Sequence, residues 1–425
     1  MKEVFKELIV ESQTQEFEVG FPRALEIAMN TRLIVSVIGA RRSGKTTYLF
    51  QLIQKLIKSG VPQKNILFIN FEDERLKVDV SQLDSLLQAY NELYPEVNWQ
   101  EVHLFFDEIQ NVEGWERFVR RVYDTKTRHI YISGSNAKLL STEIATSLRG
   151  RSLSYTVYPF SFLEYLNALK VPVSFKTQQE KSRMIHHTQS YMQQGGFAET
   201  LFLDQSTRVK LLQEYYNVMM FRDIVERYQI SNINVLRFFI KKIFAGVTVP
   251  FSVNKVYNDL KSMGYKTSNN NLYEYLEHCQ AVYLTQAIDK FDYSEIKQAK
   301  SEKKLYVIDT GFLSAIDFPA SKNWGKLFEN MVFMEFNKNG KRLTYFKNRY
   351  ECDFILEEEG EFYPIQVSFR LTESETRKRE FRGLIEACKT LGVQEGTVIT
   401  LDQYEIVEFN GYKINIVPFY AYFLK

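Results

Sequence analysis

Residues 39 to 46 read Gly-Ala-Arg-Arg-Ser-Gly-Lys-Thr, two glycines with four residues between them, followed directly by a lysine and a threonine. Backbone N–H groups can close around a polyphosphate only where a glycine-rich turn lets the chain approach, and a helix starting there points its N-terminus at the charge. In that geometry Gly39 and Gly44 make the nest and Lys45 reaches the β- and γ-phosphate oxygens as a point charge. The Thr46 hydroxyl then ligates the magnesium ion that bridges them. The whole cradle is Gly39, Ala40, Arg41, Arg42, Ser43, Gly44, Lys45, Thr46 and Thr47, a site for a nucleoside triphosphate with Mg2+. Asp107 and Glu108 carry the second half of the chemistry. Asp107 would hold magnesium through water, and Glu108 would polarise the attacking water, which turns binding into hydrolysis. An acidic turn after a buried strand is the plain alternative for this pair, and the loop upstream is what favours catalysis.

A scaffold must bring residues 39–46 and 107–108 to one edge. Leu33 to Ile38, Asn65 to Phe71, His103 to Phe106 and His129 to Ser133 are apolar runs of strand length. Such runs suit a parallel sheet buried on both faces, with the following loops gathered at its carboxyl edge. The last run delivers Gly134, Ser135 and Asn136 to that edge, where Ser135 or Asn136 is placed to sense the γ-phosphate, unless this is an ordinary polar turn. Glu72, Asp73 and Glu74 follow the second run, either near the site or capping a loop. From Gly114 to Tyr123, Trp115, Phe118, Val119 and Val122 share one helical face and Arg117, Arg120 and Arg121 the other. That arginine face is either solvated or meets nucleic acid or a neighbouring subunit. Arg149 and Arg151 flank Gly150. A guanidinium offered from such a segment can stabilise charge on a transferring phosphoryl group, often from an adjacent subunit, although two surface arginines would read the same way.

With 425 residues, 45% of them hydrophobic and 15% aromatic, the chain is expected to hold about two to four domains and no extended disorder. A formal charge of +2 neither requires nor excludes nucleic acid. Cys279, Cys352 and Cys388 are widely spaced, and no histidine pair stands with them at metal-ligand spacing, which argues against a disulfide framework and against zinc. The N-terminus lacks a signal-peptide core, and the apolar runs near 236 to 251 are broken by Lys241, Lys242 and Pro250. The expectation is a soluble, cytoplasmic protein with no membrane association.

In this order and spacing, GARRSGKTT, HLFFDEIQ, ISGSNAKLLSTEIATSLRGR, YPFSFLEYL and QQGGFAET resemble the prokaryotic AAA-type ATPases that carry a C-terminal domain of uncharacterised function. The resemblance runs essentially from end to end. It implies that ATP is the nucleotide and that Lys45, Thr46, Asp107 and Glu108 are the ATPase residues. By the same resemblance Ser135 or Asn136 is the sensor and Arg149 or Arg151 a finger acting in trans, within a ring-shaped homo-oligomer such as a hexamer. It further implies a helical lid at 159–230, in which Arg222 or Arg227 would approach the nucleotide.

From Val235 the apolar spacing changes to short amphipathic helices. Leu236, Phe239, Ile240 and Ile243 mark the first. Ser252 caps a second, with Val253, Val256, Tyr257 and Leu260 inside and Gly264 at its end; Ser268 caps a third, which buries Leu272, Tyr275, Leu276 and Cys279. A strand from Val282 to Ile288 and a polar loop complete the layout of a winged helix-turn-helix at 231–302. Asn269, Asn270 and Asn271 would face base edges, and Lys297, Lys300, Lys303 and Lys304 the phosphates of DNA. Winged helices also join domains or bind protein.

Residues 303–425 resemble the α/β core of restriction-endonuclease-like folds, through LYVIDTG, GKLFENMVFMEF, CDFIL and YPIQVSF. In that core a helix acid, a strand aspartate and a Glu-x-Lys pair surround a metal ion. The resemblance puts Glu329 or Glu335, Asp353, Gln366 and Ser368 at those positions. Gln366 and Ser368 replace the glutamate and lysine, on a strand whose buried face is Ile365, Val367 and Phe369, so weak or absent cleavage is expected. Lys341, Arg342, Lys347, Arg349, Arg370, Arg377, Lys378, Arg379 and Arg382 offer either a phosphate-binding surface or scattered solvated charges. The chain thus reads as α/β: a P-loop NTPase core with a parallel sheet at 1–158, a helical lid, a winged helix and a degenerate nuclease-like domain, acting on DNA. An ATP-dependent switch that binds a protein partner and an ATP-regulated metal-dependent nuclease are the alternatives.

Overall fold

The apolar runs that flank the phosphate loop pair into a parallel sheet in the computed structural model, which describes all residues except 30, 136–147, 149, 317–322 and 425. Two compact units, Met1–Tyr158 and Pro159–Lys425, divide the chain. In the first, the described strands are β1 (Ile34–Ile38), β2 (Ile66–Asn70), β3 (His103–Asp107), β4 (His129–Gly134) and β5 (Ser152–Thr156), in the order β2-β3-β4-β1-β5 and parallel throughout. The first four are almost wholly buried, whereas β5 lies at an edge with no buried residue. Its alternation Ser-Leu-Ser-Tyr-Thr gives no continuous apolar run, which is why sequence patterning passes over it.

Helix α2 (Lys45–Lys58) packs Tyr48, Leu49, Leu52 and Ile53 against Val35 and Val37 of β1 in one core. Helices α3 (Asp84–Leu93) and α4 (Trp115–Thr125) follow β2 and β3 in the chain. An unanticipated helix, α1 (Lys2–Thr14), buries Phe5 and Ile9 and contacts α3 and β2. Register fixes the site: Ile38 of β1 lies opposite Gly134 of β4, and Phe106 of β3 opposite Ile132. The ends of β1, β3 and β4 therefore open at one edge.

The second unit begins with α5 (Phe162–Ala168), α6 (Gln178–Gln194) and α7 (Gln205–Val218), the last continuing as π-helix over Met219–Glu226. The three helices read from spacing are α8 (Ile233–Ala245), α9 (Val253–Ser262) and α10 (Asn269–Ala281), with the Ser268 side chain capping α10 at Asn271 N–H. A small antiparallel sheet accompanies them, in the order β6 (Pro250–Phe251), β8 (Lys303–Val307), β7 (Thr285–Ile288). Strand β8 is its centre, so a boundary between 302 and 303 would cut this sheet. The polar segment between β7 and β8 carries a short helix, α11 (Glu295–Lys300).

Beyond α12 (Thr310–Ala315) and α13 (Trp324–Lys338) come β9 (Arg342–Lys347), β10 (Glu351–Glu358), β11 (Glu361–Val367), α14 (Ser374–Leu391), β12 (Glu395–Thr400), β13 (Glu405–Phe409), β14 (Tyr412–Pro418) and α15 (Phe419–Phe423). The sheet order is β13-β14-β12-β11-β10-β9, with β11, β12 and β14 parallel and the outer pairs antiparallel. Helix α14 covers β10, β11 and β12, and Phe381 and Leu384 from it share a core with Ile355 of β10, Val398 of β12 and Ile416 of β14. Among the described residues no helix is long and apolar enough to cross a membrane.

Candidate active site

The loop between β1 and α2 has the shape its glycines allow. Gly39 has φ +150°, and a Cβ there would lie 2.1 Å from the Val157 carbonyl oxygen. Gly44, at φ +92°, sets the start of α2. Lys45 is buried; its Nζ donates to the Ala40 carbonyl at 3.1 Å and pairs with Glu108 Oε1 at 3.3 Å. The Thr46 hydroxyl donates to Asp107 Oδ2 at 2.7 Å. A hydroxyl and a carboxylate oxygen this close form a hard-oxygen donor set that fits Mg2+, which takes one or two protein oxygens and keeps waters. The hydroxyls of Ser43 and Ser135 are buried with no hydrogen-bond partner among the described residues, as donors left over for a polyphosphate would be.

Ser133 was not anticipated as a site residue, yet it ties the acidic pair together. Its hydroxyl donates to Asp107 Oδ1 and accepts from Glu108 N–H at 3.0 Å. Gln110 donates to the other Glu108 oxygen. Glu108 itself takes a left-handed backbone, φ +50°, which is uncommon for a non-glycine residue. Burial, and then the Glu108 charge, push Asp107 up to about 6 against the pull of Ser133, Thr46 and Lys45. Burial also works to raise Glu108, but Lys45 and Gln110 outweigh it and hold this carboxyl below its usual range.

Arg23 is a further residue without a sequence signal. It precedes β1 and donates to the Ser43 carbonyl at 3.0 Å and the Tyr158 carbonyl at 2.5 Å, bracing the loop from behind. Arg41 pairs with Glu72 at 3.2 Å, which puts the first of the three acids after β2 beside the loop. Ser135 follows β4 at the same edge as Gly39. Asn136 and Arg149 lie outside the described residues. Arg151 stands at the start of β5, where Asp124 of α4 accepts from it through both oxygens at 2.7 Å and the Tyr123 ring lies 5.5 Å away. Arg222 and Arg227 belong to the second unit, on and just after the π-helix.

In the region expected to be a winged helix, Asn270 and Asn271 are exposed and Asn269 is half-buried, at the start of α10. Lys297 and Lys300 are exposed on α11, and Lys303 pairs with Asp289 at 2.8 Å. Lys304 corrects the sequence reading: it is fully buried and cannot meet a phosphate backbone. It shares a strand face with Tyr306 and points inward, where Glu329, Glu351 and Asp353 accept from it at 3.2, 2.7 and 3.1 Å. Burial opposes this charge, but Glu329, Tyr306, Asp353 and Glu351 together hold the ammonium protonated well beyond its usual range. Of the two helix acids expected at a nuclease-like centre, Glu329 meets Lys304 beside Asp353 and Glu335 does not. Glu335 is buried elsewhere, bonded to Phe162 N–H at 3.2 Å, Tyr191 at 2.8 Å and Lys338 at 3.3 Å. Strand β11 ends at Val367, so Ser368 sits past its end, and both Gln366 and Ser368 are buried. Burial pushes Glu329 up to about 8 and raises Asp353, while Lys304 and Lys347 overcome burial at Glu351 and lower it. The anticipated basic surface is largely neutralised: Lys341, Arg342, Lys347, Arg377, Lys378 and Arg379 each pair with a carboxylate.

Residues 31–166 match the family model of an AAA domain, and residues 185–322 and 324–422 match those of two domains of unknown function. An uncharacterised protein of Methanocaldococcus jannaschii is 36% identical over 419 residues, covering 95% of this chain and 90% of its own length. An uncharacterised protein of Haemophilus influenzae is 28% identical over 387 residues, covering 91% and 93%. Among solved structures, a Walker-type ATPase of Pyrococcus abyssi aligns with a TM-score of 0.43 and 15% identity, covering 74% of this chain and 95% of its own.

Proposed function

Because the chain belongs to the AAA-type ATPases that carry C-terminal domains of unknown function, we propose that it hydrolyses ATP at the edge of β1, β3 and β4 and couples turnover to DNA. The observation that carries the hydrolytic reading is the meeting of Lys45, Thr46, Asp107 and Glu108, with Ser133 bonded to the Asp107 carboxylate and to the Glu108 backbone N–H. Lys45 exchanges Glu108 and the Ala40 carbonyl for β- and γ-phosphate oxygens. Thr46 and Asp107 would hold Mg2+, which would neutralise charge on the phosphates. Glu108, oriented by Gln110, accepts the proton of the attacking water. Ser135 donates to the γ-phosphate, Asn136 is the alternative sensor, and Arg151 or Arg149 reaches a neighbouring subunit's nucleotide within a ring-shaped oligomer.

Contact with DNA is supported by Asn270 and Asn271 at the exposed start of α10 and by Lys297 and Lys300 on α11. A second reading, a nucleotide-dependent switch that binds protein, is favoured by one observation. Tyr273, Tyr293 and Ile296 are 49%, 70% and 68% exposed on the same region, an apolar set unlike a phosphate-facing wing. ATP hydrolysis measured with and without duplex, branched and single-stranded DNA, with Glu108→Gln as the hydrolysis control, separates the two. Stimulation by one DNA form, abolished in Glu108→Gln, supports the DNA reading. Basal hydrolysis that ignores every DNA sinks it in favour of the switch.

A further inference from the structure

The resemblance of the C-terminal region to nuclease-like folds implies a divalent cation between the helix acid and the strand aspartate, and the side chains at that place can be tested against it. A divalent cation draws carboxylate oxygens to about 2.0–2.6 Å. Here Glu329 Oε1, Glu351 Oε1 and Asp353 Oδ1 lie 3.2, 2.7 and 3.1 Å from one atom, Lys304 Nζ, the separations of charge-assisted hydrogen bonds. An ammonium has three donors, and three carboxylates meet it. The other Asp353 oxygen accepts from Val367 N–H at 3.0 Å. Gln366 accepts from Asp353 N–H at 3.1 Å and donates to Glu380, and the Ser368 hydroxyl donates to the Arg370 carbonyl at 3.1 Å. Each group that the nuclease-like pattern would turn toward a metal is already committed within the protein, so the donor set does not fit.

We infer that the Lys304 ammonium occupies the cation position of the nuclease-like centre, which makes this centre a metal-independent clamp joining β8 to α13 and β10. The lysine comes from the small sheet beside the winged helix, while the acids come from α13 and from β10 of the larger sheet. A cation carried by one structural layer and acids carried by another hold the two together, a role a diffusible metal would fill only when bound. Glu351 has a second cation, Lys347 at 3.0 Å, and Tyr306 donates to Glu329 at 2.9 Å, so the acids remain satisfied without a metal. A cavity of about 530 Å³ borders Glu329, Glu351 and Asp353. A small cation therefore has a path to these oxygens, and the lysine is what keeps it out.

The test is Mn2+ uptake by the full-length, nucleotide-free chain, with free Mn2+ read by electron paramagnetic resonance. It compares wild type, Asp353→Asn, Lys304→Ala and the double variant, each checked by thermal melting. Wild type and Asp353→Asn are expected to take up the same number of ions. Lys304→Ala is expected to take up one more, and the double variant to lose it. A wild-type ion that disappears in Asp353→Asn overturns the inference, as does a folded Lys304→Ala that gains none. Lys304→Met stands in if the alanine variant does not fold. If neither folds, the wild-type comparison with Asp353→Asn decides alone: equal uptake supports the inference and a lost ion overturns it.

Discussion

Replacing Ser133 by alanine removes one hydroxyl and disturbs both acidic residues of the proposed ATPase site, Asp107 at its carboxylate and Glu108 at its backbone. That hydroxyl donates to Asp107 and accepts from Glu108 N–H, and the residue is fully buried, so water cannot take its place. A hydrogen bond to a charged group is worth about 1.5–3 kcal/mol, and the orphaned Glu108 N–H adds a desolvation penalty of about 1–3 kcal/mol to the folded state. If the first of these falls on the transition state, at about 1.4 kcal/mol per decade, kcat drops roughly 10- to 100-fold. The phosphate loop is untouched by this change, so affinity for a non-hydrolysable ATP analogue should hold. The assay is steady-state phosphate release beside analogue binding, on protein shown to be folded by its melting transition. A folded Ser133→Ala enzyme with wild-type kcat would refute the argument that this serine positions the catalytic pair.

The first unit should lose stability in mild acid. Burial and then the His129 charge hold the His103 ring down to about 4, so its neutral form is favoured by folding. The contribution is complete above its ordinary value near 6.5 and is lost as pH falls from there toward 4, by roughly 2 kcal/mol after allowance for solvent near the ring. Denaturant midpoints across that window should flatten in His103→Phe, and an unchanged slope would remove His103 as the cause. Tyr191→Phe strips a hydroxyl that bonds Glu335 and Lys338 at 2.8 and 2.7 Å; a loss of about 1–3 kcal/mol in the second unit's unfolding free energy is expected, and a loss within error would argue that water repairs the gap. The Arg151–Asp124 pair is partly exposed and worth at most about 1 kcal/mol, so a trans role remains open to this arginine. Arg151→Ala should abolish any rise of per-subunit ATPase rate with protein concentration while leaving analogue binding intact, and a concentration dependence that survives the change would count against the finger.

What the sequence made legible was what is contiguous in the chain. The phosphate loop is a local turn, and its glycines, lysine and threonine keep their places relative to one another wherever the strands fall. Asp107 and Glu108 were legible because a buried strand ends on them. Ser133 was not, because its part depends on β4 lying between β1 and β3, and adjacency in a sheet leaves no mark in a single strand. Its one trace was a serine in an otherwise apolar run. Lys304 misled for a related reason: in KKLYV it reads as one more lysine of a polar loop. Period two, however, puts it on the face of Tyr306, and only the packing of α13 and β10 supplies the acids that make a buried lysine tolerable. Glu335 stands apart from Asp353 because the helix that carries it turns one acid, Glu329, toward Lys304 and another, Glu335, toward Tyr191, and spacing alone does not say which faces the strands.

Lys45 and Lys304 are both buried and meet acids under different constraints, and the difference suits Lys45 to the proposed turnover and Lys304 to a fixed place. Lys45 has a single carboxylate at 3.3 Å and a backbone carbonyl as partners, and a triphosphate offers it more negative charge than both. If Lys45 turns to phosphate as proposed, Glu108 would lose the cation that offsets its burial. Burial would then act to raise its proton affinity, making the carboxylate a better base once nucleotide is loaded. Lys304 has three carboxylates within 3.2 Å, and moving it would leave the buried Asp353 and the partly buried Glu329 and Glu351 without their shared cation, a larger penalty than any single new contact returns. The same residue type thus gives an exchangeable charge at the phosphate loop and a fixed one between β8, α13 and β10, according to how many acids surround it.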